Sequence, residues 1–96
     1  MTSKQRSVLK GIAMTEDAIF QIGRNGLSDE YIEAIAEALE KRELVKIHVL
    51  KNNDDDKNEL ANAIAERTGS LVVQVIGSKI VLFKYQHDPK KRKIDI

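Results

Sequence analysis

Read from the N-terminus, the first regularly spaced apolar set is Val8, Leu9 and Ile12, which fits one stripe of a short helix. Thr2 or Ser3 can cap it, Gln5 is placed to complete a capping box from Thr2, and the stripe gives out near Ala13. Gly11 weakens its last turn. Ala18 to Ile22 is a β-prone run with charge before it and Gly23 after it, which predicts a short buried strand. The turn Gly23-Arg24-Asn25-Gly26 follows directly. Ser28 is a good N-cap for a helix of about four turns, in which Ile32, Ile35, Ala36 and Leu39 share one face and Glu30, Glu33, Glu37 and Glu40 the opposite one. Leu44 to Leu50 alternates, with Val45, Ile47 and Val49 on one side and Lys46 and His48 on the other, the signature of a half-exposed strand.

After a polar loop from Asn52 to Asp56, Asp56 and Glu59 resemble a capping box. Leu60, Ala61, Ile64 and Ala65 give a third helix its stripe, and Gly69 is placed to end it. Leu71 to Ile76 and Lys79 to Tyr85 are β-rich runs separated by Gly77-Ser78, a pair suited to a tight hairpin. The predicted order is α-β-α-β-α-β-β, an α/β fold with a mixed four-stranded sheet against which each helix buries one stripe. Residues 1–86 are expected to form a single domain; residues 87–96, with Pro89 and a charge run, are expected to be a mobile basic tail.

Composition narrows the class. A chain of 96 residues supports one modest core, and 42% apolar with 32% charged residues is ordinary for a globular protein. Without cysteine there are no disulfides, thiolate nucleophiles or cysteine zinc sites, and a reducing cytoplasm is the expected location. No apolar run reaches membrane-span length, and Met1 to Lys10 has no signal-peptide stretch behind it, so no membrane partner is expected. The net charge of +1 conceals a separation. Lys4, Arg6 and Lys10 crowd the first helix with no acid nearby; residues 84–93 carry Lys84, Lys90, Lys91, Arg92 and Lys93 against Asp88 alone; acids dominate from Asp29 to Glu66. Such a molecule can offer a polyanion one basic surface while its acidic surface rejects wrong orientations, or the terminal charges can simply confer solubility.

Candidate catalytic chemistry is scarce. His48 falls on the exposed side of its strand and His87 in the tail, so neither has a partner for nucleophilic catalysis or metal binding. Asp54, Asp55 and Asp56 lack the spacing of a calcium loop, and capping accounts for Asp56. The glutamate row on the second helix is what solvation and i,i+4 pairing produce. An enzyme, a metal, a cofactor and a small-molecule substrate are therefore not expected. Gly23-Arg24-Asn25-Gly26 differs, because its glycines flank a cation and an amide just ahead of a helix N-terminus. Missing Cβ atoms let a sugar-phosphate backbone approach, free amides and the helix dipole favour an anion, and Arg24 adds forked donors. Asp29 and Glu30 oppose this by partly neutralising the dipole. The same string also serves as a tight strand-to-helix connection, and spacing alone favours that, since GxxG strings are common. Arg6 and Lys10, four apart with Lys4 beside them, can face one partner. Lys84, Lys91, Arg92 and Lys93 would add salt-sensitive affinity without base choice, or only solubility. With Phe20, Tyr31, Phe83 and Tyr85 as the only aromatics, two of them expected in the core, a base-stacking aromatic sheet is not supported.

The chain resembles a CRM domain (chloroplast RNA splicing and ribosome maturation), in particular its small bacterial single-domain members of the YhbY type. The resemblance rests on Lys4-Gln5-Arg6 with Leu9, Gln21-Ile22-Gly23-Arg24-Asn25-Gly26-Leu27, Glu43-Leu44-Val45-Lys46, Arg67-Thr68-Gly69, and Val73-Gln74-Val75-Ile76-Gly77 leading into Ile80-Val81-Leu82. Lys91-Arg92-Lys93-Ile94 is similar to the basic close of such proteins, and Ser28 stands where threonine is frequent, an equivalent cap. The resemblance implies a fold related to the C-terminal domain of translation initiation factor three, RNA binding, and association with ribosomal RNA of large-subunit precursors during ribosome assembly. It also implies that Gly23, Arg24, Asn25 and Gly26 act like the GxxG loop of KH domains, although a KH loop joins two helices and this one follows a strand. Lys4, Arg6 and Lys10 would complete the surface, and a monomer is expected. The competing expectation is a protein-interaction adaptor that uses the acidic face of the second helix.

Overall fold

The computed structural model describes residues 1–96. Helix α1 spans Ser3–Met14, strand β1 Phe20–Ile22, helix α2 Asp29–Arg42, strand β2 Leu44–Val49, helix α3 Lys57–Thr68, strand β3 Leu71–Ile76 and strand β4 Lys79–Phe83, with a short 3₁₀ turn at Pro89–Lys91. The sheet order is β1-β2-β4-β3; β1 runs parallel to β2, and the other two pairings are antiparallel. The order and the mixed four-stranded sheet agree with the sequence pattern.

Alternation along the strands divides the core in two. Val45, Ile47 and Val49 of β2 and Ile80 and Leu82 of β4 turn to one face, where they meet Ile32, Ile35 and Leu39 of α2 and Leu60, Ala61 and Ile64 of α3. Leu44, Val73, Val81 and Phe83 turn to the other face, where Leu9 and Ala13 of α1 cover them. The helix stripes read from the sequence thus lie on opposite sides of one sheet, except that Val8 of the first stripe is 43% exposed.

Caps set most of the boundaries. Thr2 and Gln5 form the reciprocal capping box, and the Ser28 and Asp56 side chains accept from the amides of Tyr31 and Glu59. Helix α1 continues to Met14, past the expected end near Ala13, and Gly11 lies exposed within it. That helix has no basic residue in its last turn; instead Lys46 Nζ donates to the carbonyls of Ala13 (3.1 Å) and Glu16 (3.3 Å), a charge supplied from the sheet to the dipole's negative end. Strand β1 is shorter than the run Ala18–Ile22, and β4 ends at Phe83 before Tyr85.

The expectation of a mobile tail is corrected. Ile94 and Ile96 pack on the Leu9–Phe83 side of the sheet. Glu43, 2% exposed, accepts the backbone N–H groups of Lys93 and Ile94 on one side-chain oxygen. Arg92 Nε donates to the Gln86 carbonyl at 2.9 Å, and Gln86 Nε2 to the Glu40 carbonyl at 2.7 Å. The two isoleucines follow a charge run dense enough to mask them in the hydropathy pattern.

Candidate nucleic-acid interface

The turn Gly23–Gly26 begins where β1 ends. Gly26 N–H donates to the Gly23 carbonyl at 3.1 Å, and Gly26 takes φ +67°, a left-handed conformation that glycine adopts without a Cβ penalty. A second loop braces it from the side: Asn53 Nδ2 donates to the Gly23 carbonyl at 2.9 Å, and Asn53 is itself held by Asp55 through both ends of its amide. Arg24 and Asn25 are left at the exposed tip, and Arg24 joins none of the three ion pairs in the molecule. Of the opposing acids, Asp29 is engaged by Arg67 at 2.6 Å, which offsets its charge beside the turn. The bracing loop introduces another, since an atom placed at Cβ of Gly26 would lie 3.7 Å from Asp55 Oδ2.

The basic residues of α1 divide. Lys4 is exposed and Lys10 half-buried. Arg6 turns inward, its Nη1 donating to the carbonyls of Val72 (3.0 Å) and Val73 (2.8 Å). Those carbonyls border a β-bulge, where the register of β3 against β4 shifts between Val72 and Gln74 and the ladder leaves groups unpaired. Arg6 therefore braces the edge strand. On the opposite edge the Tyr31 hydroxyl closes on both backbone groups of Gln21. Lys84 is likewise committed, to Glu40 at 2.7 Å; the hydrogen bond and charge of Lys84 hold the Glu40 carboxyl below its ordinary range, with His87 adding a smaller effect and desolvation opposing.

Lys91, Arg92 and Lys93 do not meet the glycine turn. They gather near Glu40, Lys41 and Gln86, at the end of the sheet where β2 begins, whereas the turn follows the C-terminal end of the parallel neighbour β1. Six residues of β2 separate the two, roughly 20 Å at ~3.3 Å per residue. The basic residues of the turn and of the tail thus lie at opposite ends of the sheet.

The sequence reading missed a set of side chains on the α1 side of the sheet. Cross-strand register aligns Gln21, His48, Lys79 and Ile76 in one row, and Lys46, Val81 and Gln74 in the next. Lys46 and His48 were legible as the polar side of β2, but only the pairing shows that Lys79 stands opposite His48 and that Lys10 of α1 borders the same ground. The row lies at the end of the sheet that carries the glycine turn. No cluster of three or more His, Cys, Asp and Glu side chains is arranged to hold a metal ion, and no helix is long and apolar enough to cross a membrane.

Comparison with known proteins bears on the family and the overall fold. The profile of the CRS1 / YhbY (CRM) domain matches residues 1–84. A Bacillus subtilis (strain 168) protein named probable RNA-binding protein YqeI is 44% identical over 91 residues, 95% of each chain. A Haemophilus influenzae protein named RNA-binding protein is 32% identical over 90 residues, 94% of this chain and 91% of that one. The solution structure of the hypothetical protein SAV1595 from Staphylococcus aureus matches with a TM-score of 0.80 at 45% identity, covering 99% of both chains.

Proposed function

Because this chain belongs to the CRS1 / YhbY (CRM) domain family, we propose that it is an RNA-binding protein that grips RNA by its backbone through the Gly23–Gly26 turn and acts by binding, without covalent chemistry. The observation that carries this reading is Arg24, a cation with no intramolecular ion pair, held at the tip of a braced turn beside the N-terminus of α2. Lys4 and Lys10 supply further charge from α1, and the Lys90–Lys93 cluster offers a second contact at the far end of the sheet. Ribosomal RNA of a large-subunit precursor is the proposed partner, and assistance to ribosome assembly in the cytoplasm the proposed role. Support for these finer points is the family likeness and the two-ended distribution of charge, which suits a large folded RNA. Two of the four glutamates on the acidic face of α2, Glu37 and Glu40, are engaged by Lys41 and Lys84, which makes it a poorer docking surface than its sequence suggests.

The test is equilibrium binding to large-subunit ribosomal RNA fragments across a salt series. Arg24→Ala is expected to weaken binding and to lower the slope of log affinity against log salt by about 1, the signature of one lost phosphate contact. An unchanged affinity and slope would remove the turn from the interface.

A further inference from the structure

We infer that the groove between α1 and the exposed part of the sheet seats an unpaired base of single-stranded RNA, with Lys10 and Lys79 placed for its flanking phosphates and the Gln74 amide for its edge. This rests on the RNA-binding reading above and extends it to a site that reading does not use.

The groove is about 360 Å³, within the range of roughly 300–1,000 Å³ usual for small-ligand sites. Its floor is Ala13 and Val81, and its apolar walls are Met14 of α1 and Ile76 of β3. Met14 is 82% exposed and Ile76 59%, so neither supports the core, yet both border the same concavity. The remaining lining is Lys10, Lys46, Lys79 and Gln74, with no carboxylate among them. The Lys46 ammonium is held by the carbonyls of Ala13 in the last turn of α1 and of Glu16 just past it, whereas Lys10 and Lys79 make no side-chain hydrogen bond or ion pair and are available to an anion.

Charge complementarity selects the occupant. A purely apolar peptide would fill the floor but leave the lysines facing nothing of opposite sign, and an inorganic anion would leave Met14 and Ile76 in water. A nucleotide carries both parts, a flat ring for the apolar slot and a phosphate on each side. The Met14 thioether makes favourable contacts with aromatic rings, and an amide such as Gln74 can pair with a base edge. Position agrees: the row Gln21, His48, Lys79 and Ile76 crosses four strands, about 15 Å at ~4.8 Å spacing, from the strand that feeds the glycine turn to the groove wall. One RNA strand can follow it from Arg24 to Met14.

The test compares a short single-stranded RNA with a duplex of equal length, by fluorescence anisotropy, using wild type, Met14→Ser/Ile76→Ser and Arg24→Ala, with thermal melts to verify folding. The double serine variant is expected to melt like wild type, to lose about tenfold in single-strand affinity, as removal of a base-stacking surface does, and to retain duplex affinity. Arg24→Ala should weaken both. A 4-thiouridine single strand should cross-link to peptides that contain Met14, Gln74 or Ile76. If the serine variant binds the single strand as wild type does while Arg24→Ala is weakened, the groove is overturned and the RNA-binding reading stands. Cross-links confined to Gly23–Gly26, or serine substitutions that abolish capture of a protein and leave both RNAs unaffected, overturn it too. Wild type that binds neither RNA overturns both.

Discussion

Arg6→Ala separates two roles that helical spacing alone cannot. The guanidinium reaches the carbonyls of Val72 and Val73 at 3.0 and 2.8 Å from a half-buried position. Hydrogen bonds from a charged group contribute about 1.5–3 kcal/mol each. Here one nitrogen serves both acceptors, and water can partly replace it after truncation, so the pair is not counted twice. The expected cost is about 2 kcal/mol, which for a domain near 100 residues lowers Tm by roughly 8–16 °C at ~4–8 °C per kcal/mol. Urea titration should show a lower midpoint at unchanged slope, because the bulge loses its brace while the surface exposed on unfolding stays the same. Lys4→Ala, at an exposed position with no partner, should stay within about 0.5 kcal/mol of wild type. RNA binding should reverse the order, with the salt slope reduced by Lys4→Ala and retained by Arg6→Ala at temperatures where both are folded. If Arg6→Ala melts like wild type and reduces the slope by about 1, Arg6 is an RNA contact and its bonds to the bulge stabilise nothing.

Other expectations concern the tail, the helix and the pH response. Glu43 holds a backbone φ of +67°, so Glu43→Gly removes the side-chain acceptor without adding strain; the amides of Lys93 and Ile94 should lose hydrogen-exchange protection and trypsin should cut faster after Lys91, Arg92 and Lys93, and unchanged protection would show that Ile94 and Ile96 hold the tail unaided. Gly11 is exposed within α1 and a Cβ there would meet nothing within 4 Å, so Gly11→Ala should raise stability by about 0.5–1 kcal/mol in urea titration; a loss would mean that α1 needs the flexibility. The Glu40 carboxyl titrates lower folded than unfolded, so its contribution is complete above the ordinary glutamate value of about 4.3 and is lost as pH falls through the lowered one. The stability gap between wild type and Lys84→Met should therefore narrow through that acid window, and a gap constant with pH would mean that Lys84 acts through packing.

Helix stripes, caps and strand alternation were legible along the chain because each depends on neighbours within a turn or a pleat: Thr2 with Gln5, Ser28 ahead of Ile32 and Ile35, Val45 and Ile47 against Lys46 and His48. The turn Gly23–Gly26 was legible too, as a candidate, since its glycines and Arg24 are adjacent. What each cation faces was not. Arg6 and Lys10 are indistinguishable by spacing, but Arg6 meets carbonyls exposed by a bulge 66 and 67 residues away, while Lys10 borders an open groove. Lys84 has the composition of a binding residue and the position of a partner for Glu40. The tail's charge reads as mobility, and the two isoleucines with the Glu43 side chain hold it down. Local pattern is written in the chain because backbone geometry repeats every few residues; the partners of a long charged side chain are set by sheet register and bulge placement, which only the assembled fold supplies.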